Sequence, residues 1–495
     1  MSKRFIILFA FIILAVLISS TAFSQAVLDQ ILNNGPNDKR LNIVFLGDGY
    51  LSTHQSRFEA DALDMLNYIF TTEPFIGHQN YYNAYTIFVA SNESGSDHPV
   101  SGVFKDTYFN STYDTYGITR LVTIPPNNYN GIYSQGTGKV MSLLSTYTPD
   151  YDIIFLLVND PEFGGSGGTV AISSTHVMAP EVVVHEIGHS FGSLADEYDY
   201  DDLGSYEAPN TTAQTVRELI RWNPWILTST PIPTPETSQY NTVIGLFEGA
   251  VYSPTGWYRP KNNCKMQSLG VPFCSVCSEQ LVISEYSFLS PLESYSPIVN
   301  EITIPAYDFQ TFEIFPLQPT GYSLDIQWYL DMVPIPDANS ESLIITSDEF
   351  GWGSHTISVE VSDGTPFVIN DPANLLSDSH SWDVFLEAGD TDDDGYSDDI
   401  DNCMELSNPD QSDADDDDIG DICDPYCCQY AGDANNDDVN NILDIVYIID
   451  FIYKNGDEPE CYFEGDANID EIINILDAVY LIDFLYKDKP PPDCL

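Results

Sequence analysis

Between residues 390 and 424 the chain is dominated by Asp, Asn, Gly, Ser and Cys. Such a stretch has too little apolar surface to offset the entropy of ordering it, so it cannot bury a core by itself. It therefore forces the 495 residues into modules rather than one globule, and the length already exceeds what a single core usually fills. Over the whole chain, 16 Lys plus Arg face 76 Asp plus Glu, a formal net charge of −60. A phosphate backbone would be repelled by this field, which excludes generic nucleic-acid binding. Acidity of this order serves either solubility or calcium ligation, and the placement of the acids separates the two. Hydrophobic residues make up 43%, which excludes a wholly disordered chain.

The acids fall in a pattern. EF-type calcium loops draw oxygen ligands from positions 1, 3, 5, 9 and 12, with Gly at 6 for a sharp turn. Asp390, Asp392, Asp394, Gly395, Asp398 and Asp401 occupy positions 1, 3, 5, 6, 9 and 12 of one such loop. Asp413, Asp415, Asp417, Asp421 and Asp424 occupy 1, 3, 5, 9 and 12 of a second. A duplication follows: Gly432-Asp433-Ala434-Asn435 and Asn441-Ile442-Leu443-Asp444 recur 33 residues later as Gly465-Asp466-Ala467-Asn468 and Asn474-Ile475-Leu476-Asp477. The first copy offers Asp433, Asn435, Asp437, Asn441 and Asp444, and the second Asp466, Asn468, Asp470, Asn474 and Asp477. Each copy runs into an apolar helix, at residues 445–453 and 478–486. Asp438 and Glu471 replace the usual position-6 Gly. Cys428, Cys461 and Cys494 share the 33-residue period and are expected to staple the repeats.

With Asn402-Cys403, Asn408-Pro409-Asp410-Gln411 and Gly420-Asp421-Ile422-Cys423-Asp424, the acidic segment resembles thrombospondin type-3 repeats. That resemblance implies a nearly coreless chain wrapped around structural calcium ions. The duplicated unit resembles a dockerin type I domain, which implies a small helical EF-type fold and a cohesin-like partner. A purely structural calcium-stabilised cap is the alternative.

At the other end, Lys3 and Arg4 precede a continuous apolar run at 5–18, and Ala22 and Ser24 suit cleavage before Gln25. The run is short of the about 20 residues a membrane span needs. No later segment is apolar enough to cross a bilayer, so no integral membrane segment is expected after cleavage. Residues 1–24 read as a signal peptide and the protein as secreted, and its nine cysteines are expected in an oxidising compartment.

Three further textures complete the organisation. Residues 25–290 alternate buried strands (41–46, 151–158, 169–173) with helical spacing (58–70, 181–195), which predicts an α/β or α+β catalytic domain. Residues 291–388 carry short alternating runs at 301–304, 323–330, 342–346 and 355–361, which predict a small β-sandwich. Ile326-Gln327-Trp328-Tyr329 resembles the central strand of an immunoglobulin-like domain, with Trp328 in its core. Calcium repeats at 389–427 and the dockerin-like domain at 428–495 follow.

The strongest chemical motif is His185-Glu186-Ile187-Gly188-His189. Histidines at i and i+4 lie on one helix face, so both imidazoles can reach one metal ion. Zinc lowers the pKa of a bound water to about 7, and Glu186 can take its proton and return it to the leaving amine. Val182-Val183-Val184 suits a buried helix, Gly192 suits its stop, and Asp196 or Glu197 can return a carboxylate to the metal. His176 is a weaker nitrogen candidate.

The string HEIGHSFGSLADEY resembles the metzincin pattern H-E-x-x-H-x-x-G-x-x-H, except that Ala195 stands at the third ligand position and Asp196 follows it. This variant is similar to the IgA-specific metallopeptidase family, with further likeness at NIVFLGD (42–48), TEPF (72–75), SNESGSDHP (91–99), Val158-Asn159, Gly164-Gly165 and Tyr258-Arg259-Pro260. The resemblance covers roughly residues 40–285 and implies a metzincin-like zinc peptidase with Met266, in Cys264-Lys265-Met266, as its methionine turn. The expected zinc ligands are His185, His189 and a carboxylate, Asp196 ahead of Glu197. Tyr258 or Arg259 is the candidate oxyanion stabiliser, and 169–173 the candidate edge strand for a peptide substrate. Cys264, Cys274 and Cys277 lack a clear fourth ligand, so one disulfide is expected there rather than a second zinc site. The expected function is a secreted zinc-dependent endopeptidase. A non-catalytic adhesin or scaffold protein using the calcium modules is the rival, and hydrolysis of another amide a third reading.

Overall fold

The computed structural model describes residues 25–125, 136–199, 206–347, 350–413, 418–424, 428, 430–470 and 472–493. The expected signal peptide, Asp415, Asp417, Glu471 and Cys494 lie outside them. The chain forms two compact units. One comprises the residues up to Ser294 with Phe315–Asp325 and Val361–Asp378, and the other Tyr295–Ile314, Ile326–Glu360 and the residues from Ser379 on.

The first unit is built on strands β1 (Val27–Leu32), β2 (Leu41–Asp48), β3 (Tyr82–Phe88), β4 (Ile153–Val158), β5 (Gly165–Ser166) and β6 (Ala171–Ser174), in the sheet order β1-β3-β2-β4-β6-β5. The inner strands β3, β2, β4 and β6 run parallel, and β1 and β5 are antiparallel edges. Every residue of β2 is buried because both faces of the sheet are covered. Ile43 and Phe45 face α1 (Gln55–Ile69) through Phe58, Ala62 and Leu66. Val44 and Leu46 face the opposite way, toward Val140, Leu143 and Leu144 of α2 (Gly136–Tyr147). The period-2 alternation of a strand thus splits one apolar run between two cores.

Helix α3 (Ala179–Ser190) packs on the same side as α1, with Val183, Val184 and Ile187 in the first core. It opens with Ala179-Pro180, where the missing N–H costs nothing. It stops at Ser190, earlier than the helical spacing of 181–195 suggests: a Cβ at Gly192 would stand 2.8 Å from Gly188 O, and Leu194 N–H instead closes on Gly188 O at 2.8 Å. A hairpin, β7 (Phe247–Ala250) and β8 (Ser253–Arg259), and helix α4 (Ser275–Tyr286) complete this unit.

Strand β9 (Leu292–Ser296) leads into the second unit, which holds β10 (Glu301–Ile304), β11 (Phe309–Pro316), β12 (Asp325–Leu330), β13 (Val333–Pro334), β14 (Ser342–Thr346), β15 (Gly353–Ser362) and β16 (Ser377–Leu386). They form a five-stranded sheet, β10-β16-β15-β12-β13, and a three-stranded one, β14-β11-β9. Trp328 is fully buried, stacked 5.9 Å from Trp382 of its own sheet, and Trp382 meets Phe312 of the other sheet at 5.0 Å. The acidic segment carries a Cys403–Cys423 disulfide. Beyond it α5 (Ile442–Lys454), α6 (Tyr462–Gly465) and α7 (Ile475–Lys487) follow, and Ile445, Ile448, Ala478 and Leu481 make a small core. Cys428 and Cys461 are both disulfide-bonded. Among the described residues no helix is long and apolar enough to cross a membrane.

Candidate metal centre

One turn of α3 separates His185 from His189, and both rings point to the same place. His185 Nδ1 donates to Lys265 O at 2.9 Å and His189 Nδ1 to Leu194 O at 2.8 Å. These bonds fix the tautomer and leave each Nε2 with its lone pair directed inward. The two Nε2 atoms lie 3.1 Å apart, and Asp196 Oδ1 stands 3.2 Å from the first and 3.1 Å from the second. Zinc bonds of ~2.0–2.1 Å in a tetrahedron place ligand atoms ~3.3 Å apart, so the triangle fits a zinc-sized ion. Glu186 supplies a second observation: its Oε2 is buried and has no hydrogen-bond partner.

The electrostatics agree with a charged occupant. Burial pushes the Glu186 carboxyl up, against the pull of the two imidazoles. Asp196 is held well below the usual carboxylate range: burial opposes this, and the hydrogen bonds from His185 and His189 prevail. Burial favours a neutral His189, yet Asp196 draws it up to about 9.

Packing around α3 sets this geometry. Met266 is fully buried beneath the helix, so close that a Cβ on Gly188 would lie 2.5 Å from its sulfur. Glu181, in the first turn of α3, takes hydrogen bonds from Lys265 Nζ at 2.6 Å and Gly270 N at 2.8 Å, which ties the Met266 loop to the helix. Asn210 brackets Ala195 by bonds to its N–H and C=O, at 2.8 and 2.9 Å, and so holds the loop that presents Asp196. Tyr252 donates its hydroxyl to Asp196 Oδ2, which leaves Oδ1 for the imidazoles.

A cavity of about 340 Å³ opens beside the centre, lined by His185, Glu186, Tyr198, Arg120 and Phe163 among others. The Tyr198 hydroxyl is 3.3 Å from His185 Nε2. Tyr258, expected near the reacting carbonyl, instead joins the hydrophobic core, with its backbone paired to Thr212. Arg259 is buried on the carbonyls of Glu248 and Gly249 and on Glu236, a structural clamp. Both stand at the end of β8, where each is buried. Tyr198 and Tyr252 escaped sequence reasoning. Tyr198 had the clue of standing two residues after Asp196, and Tyr252, 56 residues away, had none.

Residues 169–173 do not form an edge. Strand β6 lies between β4 and β5, and the outer flank of Gly165 is bonded to Arg120 and Val122. His176 takes a hydrogen bond from Met178 N–H at 3.1 Å and stays out of the centre. Glu197 points away from it, toward Cys277 at 3.5 Å.

The acidic loops gather as well. Asp390, Asp392 and Asp394 offer oxygens within 4.8 Å of one another, as do Asp433, Asp437 and Asp444, and Asp466, Asp470 and Asp477. Burial and the neighbouring Asp433 and Asp466 push Asp444 and Asp477 up to about 6. Asp398, Asp401, Asp421 and Asp424 are buried, and Asp413 half-buried. Asn441 and Asn474 serve otherwise than expected: their Oδ1 atoms cap α5 and α7, accepting from Leu443 and Leu476 N–H at 2.8 Å. Asn435 and Asn468 contribute backbone N–H groups to Asp444 and Asp477, at 3.3 and 3.1 Å.

Two imidazoles and a carboxylate converging beside one helix face, with the unpartnered Glu186 Oε2 next to them and an open cavity in front, suit a metal ion that serves hydrolysis, and metallopeptidases are the class of enzyme built this way. Within that class the chain belongs to the IgA Peptidase M64 family, which matches residues 30–242 and 236–284, together just over half of its length. No curated protein matches it.

Proposed function

We propose that the protein is a secreted zinc-dependent endopeptidase in which His185, His189 and Asp196 hold the metal and Glu186 is the general base. The observation that carries this reading is the 3.1–3.2 Å triangle of His185, His189 and Asp196 atoms with the unpartnered Glu186 Oε2 beside it. Zinc, when bound, supplies the Lewis acidity that polarises a peptide carbonyl and makes hydroxide available near neutral pH. Glu186 accepts the proton of the attacking water and passes it to the leaving amine. Its burial raises its proton affinity above that of an exposed carboxylate. Tyr198, rather than Tyr258, has its hydroxyl on the cavity side to face the developing oxyanion.

The second unit is read as an immunoglobulin-like sandwich, thrombospondin type-3-like repeats and a dockerin-like domain carrying structural calcium. Buried Asp392 Oδ2 and Asp401 Oδ2 in one loop and Asp433 Oδ2 in another have no hydrogen-bond partner, which favours a cation in each loop. Exposed Ile442, Leu443, Val446 and Tyr453 recur 33 residues on as exposed Ile475, Leu476, Val479 and Tyr486, an apolar face on each helix that suits a cohesin-like partner.

Glu186→Gln tests the reading. It keeps the three ligands and removes the base, so hydrolysis of a broad peptide library is expected to fall about 10²–10⁴-fold at unchanged zinc content. Wild-type protein that binds zinc yet cleaves no peptide would overturn it in favour of a binding platform.

A further inference from the structure

Behind the centre lies a second set of metal-binding side chains. Cys264 stands two residues before Met266, Cys274 caps the N-terminus of α4, Cys277 follows in its first turn, and Glu197 is next to Asp196. All four are buried, and the three cysteines are free thiols. Cys277 Sγ lies 3.6 Å from Cys264 Sγ, 3.6 Å from Cys274 Sγ and 3.5 Å from Glu197 Oε1, and all four ligand atoms fall within 4.8 Å of one another.

These distances have a simple meaning. Zinc–sulfur bonds of ~2.3 Å in a tetrahedron set sulfurs ~3.7 Å apart, and a zinc–oxygen bond of ~2.0 Å sets sulfur and oxygen ~3.5 Å apart. A disulfide needs sulfurs ~2.05 Å apart. The surroundings also suit anionic ligands. Cys274 N–H points at Cys264 Sγ from 3.2 Å, and Asn210 Nδ2 donates to Glu197 Oε1 at 2.9 Å. Glu197 Oε2 is buried without a hydrogen-bond partner.

We propose that Cys264, Cys274, Cys277 and Glu197 form a second, closed zinc site, structural rather than catalytic. Four protein ligands and no solvent access leave no open position for a substrate. Three thiolates select zinc over calcium or magnesium. Such a site staples three segments that meet behind α3: the Asp196–Glu197 loop, the Met266 turn and the start of α4. Glu197 N–H already bonds Met266 O at 2.9 Å, so the ion would brace the two segments that position His185, His189 and Asp196. The site stands whatever the first centre hydrolyses. Only its bracing of Asp196 rests on reading that centre as catalytic.

The test uses the full chain purified without chelator. Zinc per chain is measured by elemental analysis, thiols by alkylation and mass before and after denaturation in chelator, and ligand type by the cobalt(II) spectrum after exchange. The expected wild type carries two zinc ions, has three thiols in the 264–277 region that alkylate only after denaturation in chelator, and shows a thiolate-to-cobalt charge-transfer band. Cys277→Ser should reduce zinc from two to one and abolish that band, whereas His189→Ala should also reduce zinc to one but keep the band. Because the wild-type thiol and cobalt measurements need no variant, a misfolded Cys277→Ser would not blunt the test. A chain with one zinc and no thiolate band, whether its cysteines are oxidised to a disulfide or freely alkylated, overturns the second site and leaves the peptidase reading untouched.

Discussion

Gly167 shows how much of the centre hangs on single atoms. A Cβ there would stand 2.6 Å from Glu186 Oε2 and 3.1 Å from His189 Cδ2. In sequence the glycine-rich 164–168 run suggests flexibility, but Gly164, Gly165 and Gly167 are glycine for space and Gly168 for its φ of +132°. A Cβ on Gly164 would meet Val122 at 2.5 Å and Tyr113 at 2.6 Å, and one on Gly165 would meet Ile172 O at 2.8 Å. Gly167→Ala is therefore expected to displace the base and not the metal. Turnover should fall about 10²-fold, with zinc content and melting temperature near wild type, as read by steady-state kinetics beside metal analysis. The same scale separates Asp196 from Glu197. They are neighbours in the chain, but successive residues of an extended segment point opposite ways, and each carboxylate reaches a different cluster.

At the scale of elements, a buried polar network joins α4 to segments distant in sequence. His78 Nδ1–H donates to Glu285 Oε2 at 2.5 Å. Tyr322 gives its proton to Asp363 at 3.1 Å, so the 2.9 Å contact of His78 Nε2 with the Tyr322 oxygen is a donation from the ring. Both ring nitrogens thus face oxygen atoms, and His78 pairs with Glu285. Burial lowers its pKa, but Glu285, Asp363 and Glu73 raise it further, for a net upward shift. A raised histidine stabilises the fold fully below its unfolded value of about 6.5 and loses that contribution as pH rises through the folded value. Thermal melting across this window should show a loss in wild type that His78→Leu lacks. The variant itself should cost about 3–5 kcal/mol at pH 6, because Glu285 is left buried without its partner. Equal pH dependence in both proteins would count against the ion pair.

For the whole molecule the governing quantity is the net charge of −60. Much of it sits after residue 388, where among the described residues the small core between α5 and α7 and the disulfides resist self-repulsion. If calcium holds this region, removing it with a calcium-selective chelator should open the acidic loops and leave the first unit folded. Limited proteolysis is then expected to cut at 389–441 and to yield an N-terminal fragment with full peptidase activity. Equal protection with and without calcium would show that the loops need no ion.

What could be read from sequence alone was local. The four-residue spacing of His185 and His189 places both on one helix face, and the 33-residue duplication with its apolar runs marks α5 and α7. Strands at 301–304 and 342–346 were legible from alternation. Strands β11 and β16, with Phe312 and Trp382, were not read, although their burial also alternates. Other decisions belonged to the tertiary structure. The fourth member of the cysteine cluster, Glu197, lies 80 residues from Cys277, and the inward turn of Tyr258 depends on a core that its own neighbours do not disclose. The physical reason is common to both. Backbone geometry fixes the direction of side chains within a turn or a strand, whereas contacts across tens of residues exist only once burial of Met266, Val183 and Leu281 in one core has brought their carriers together.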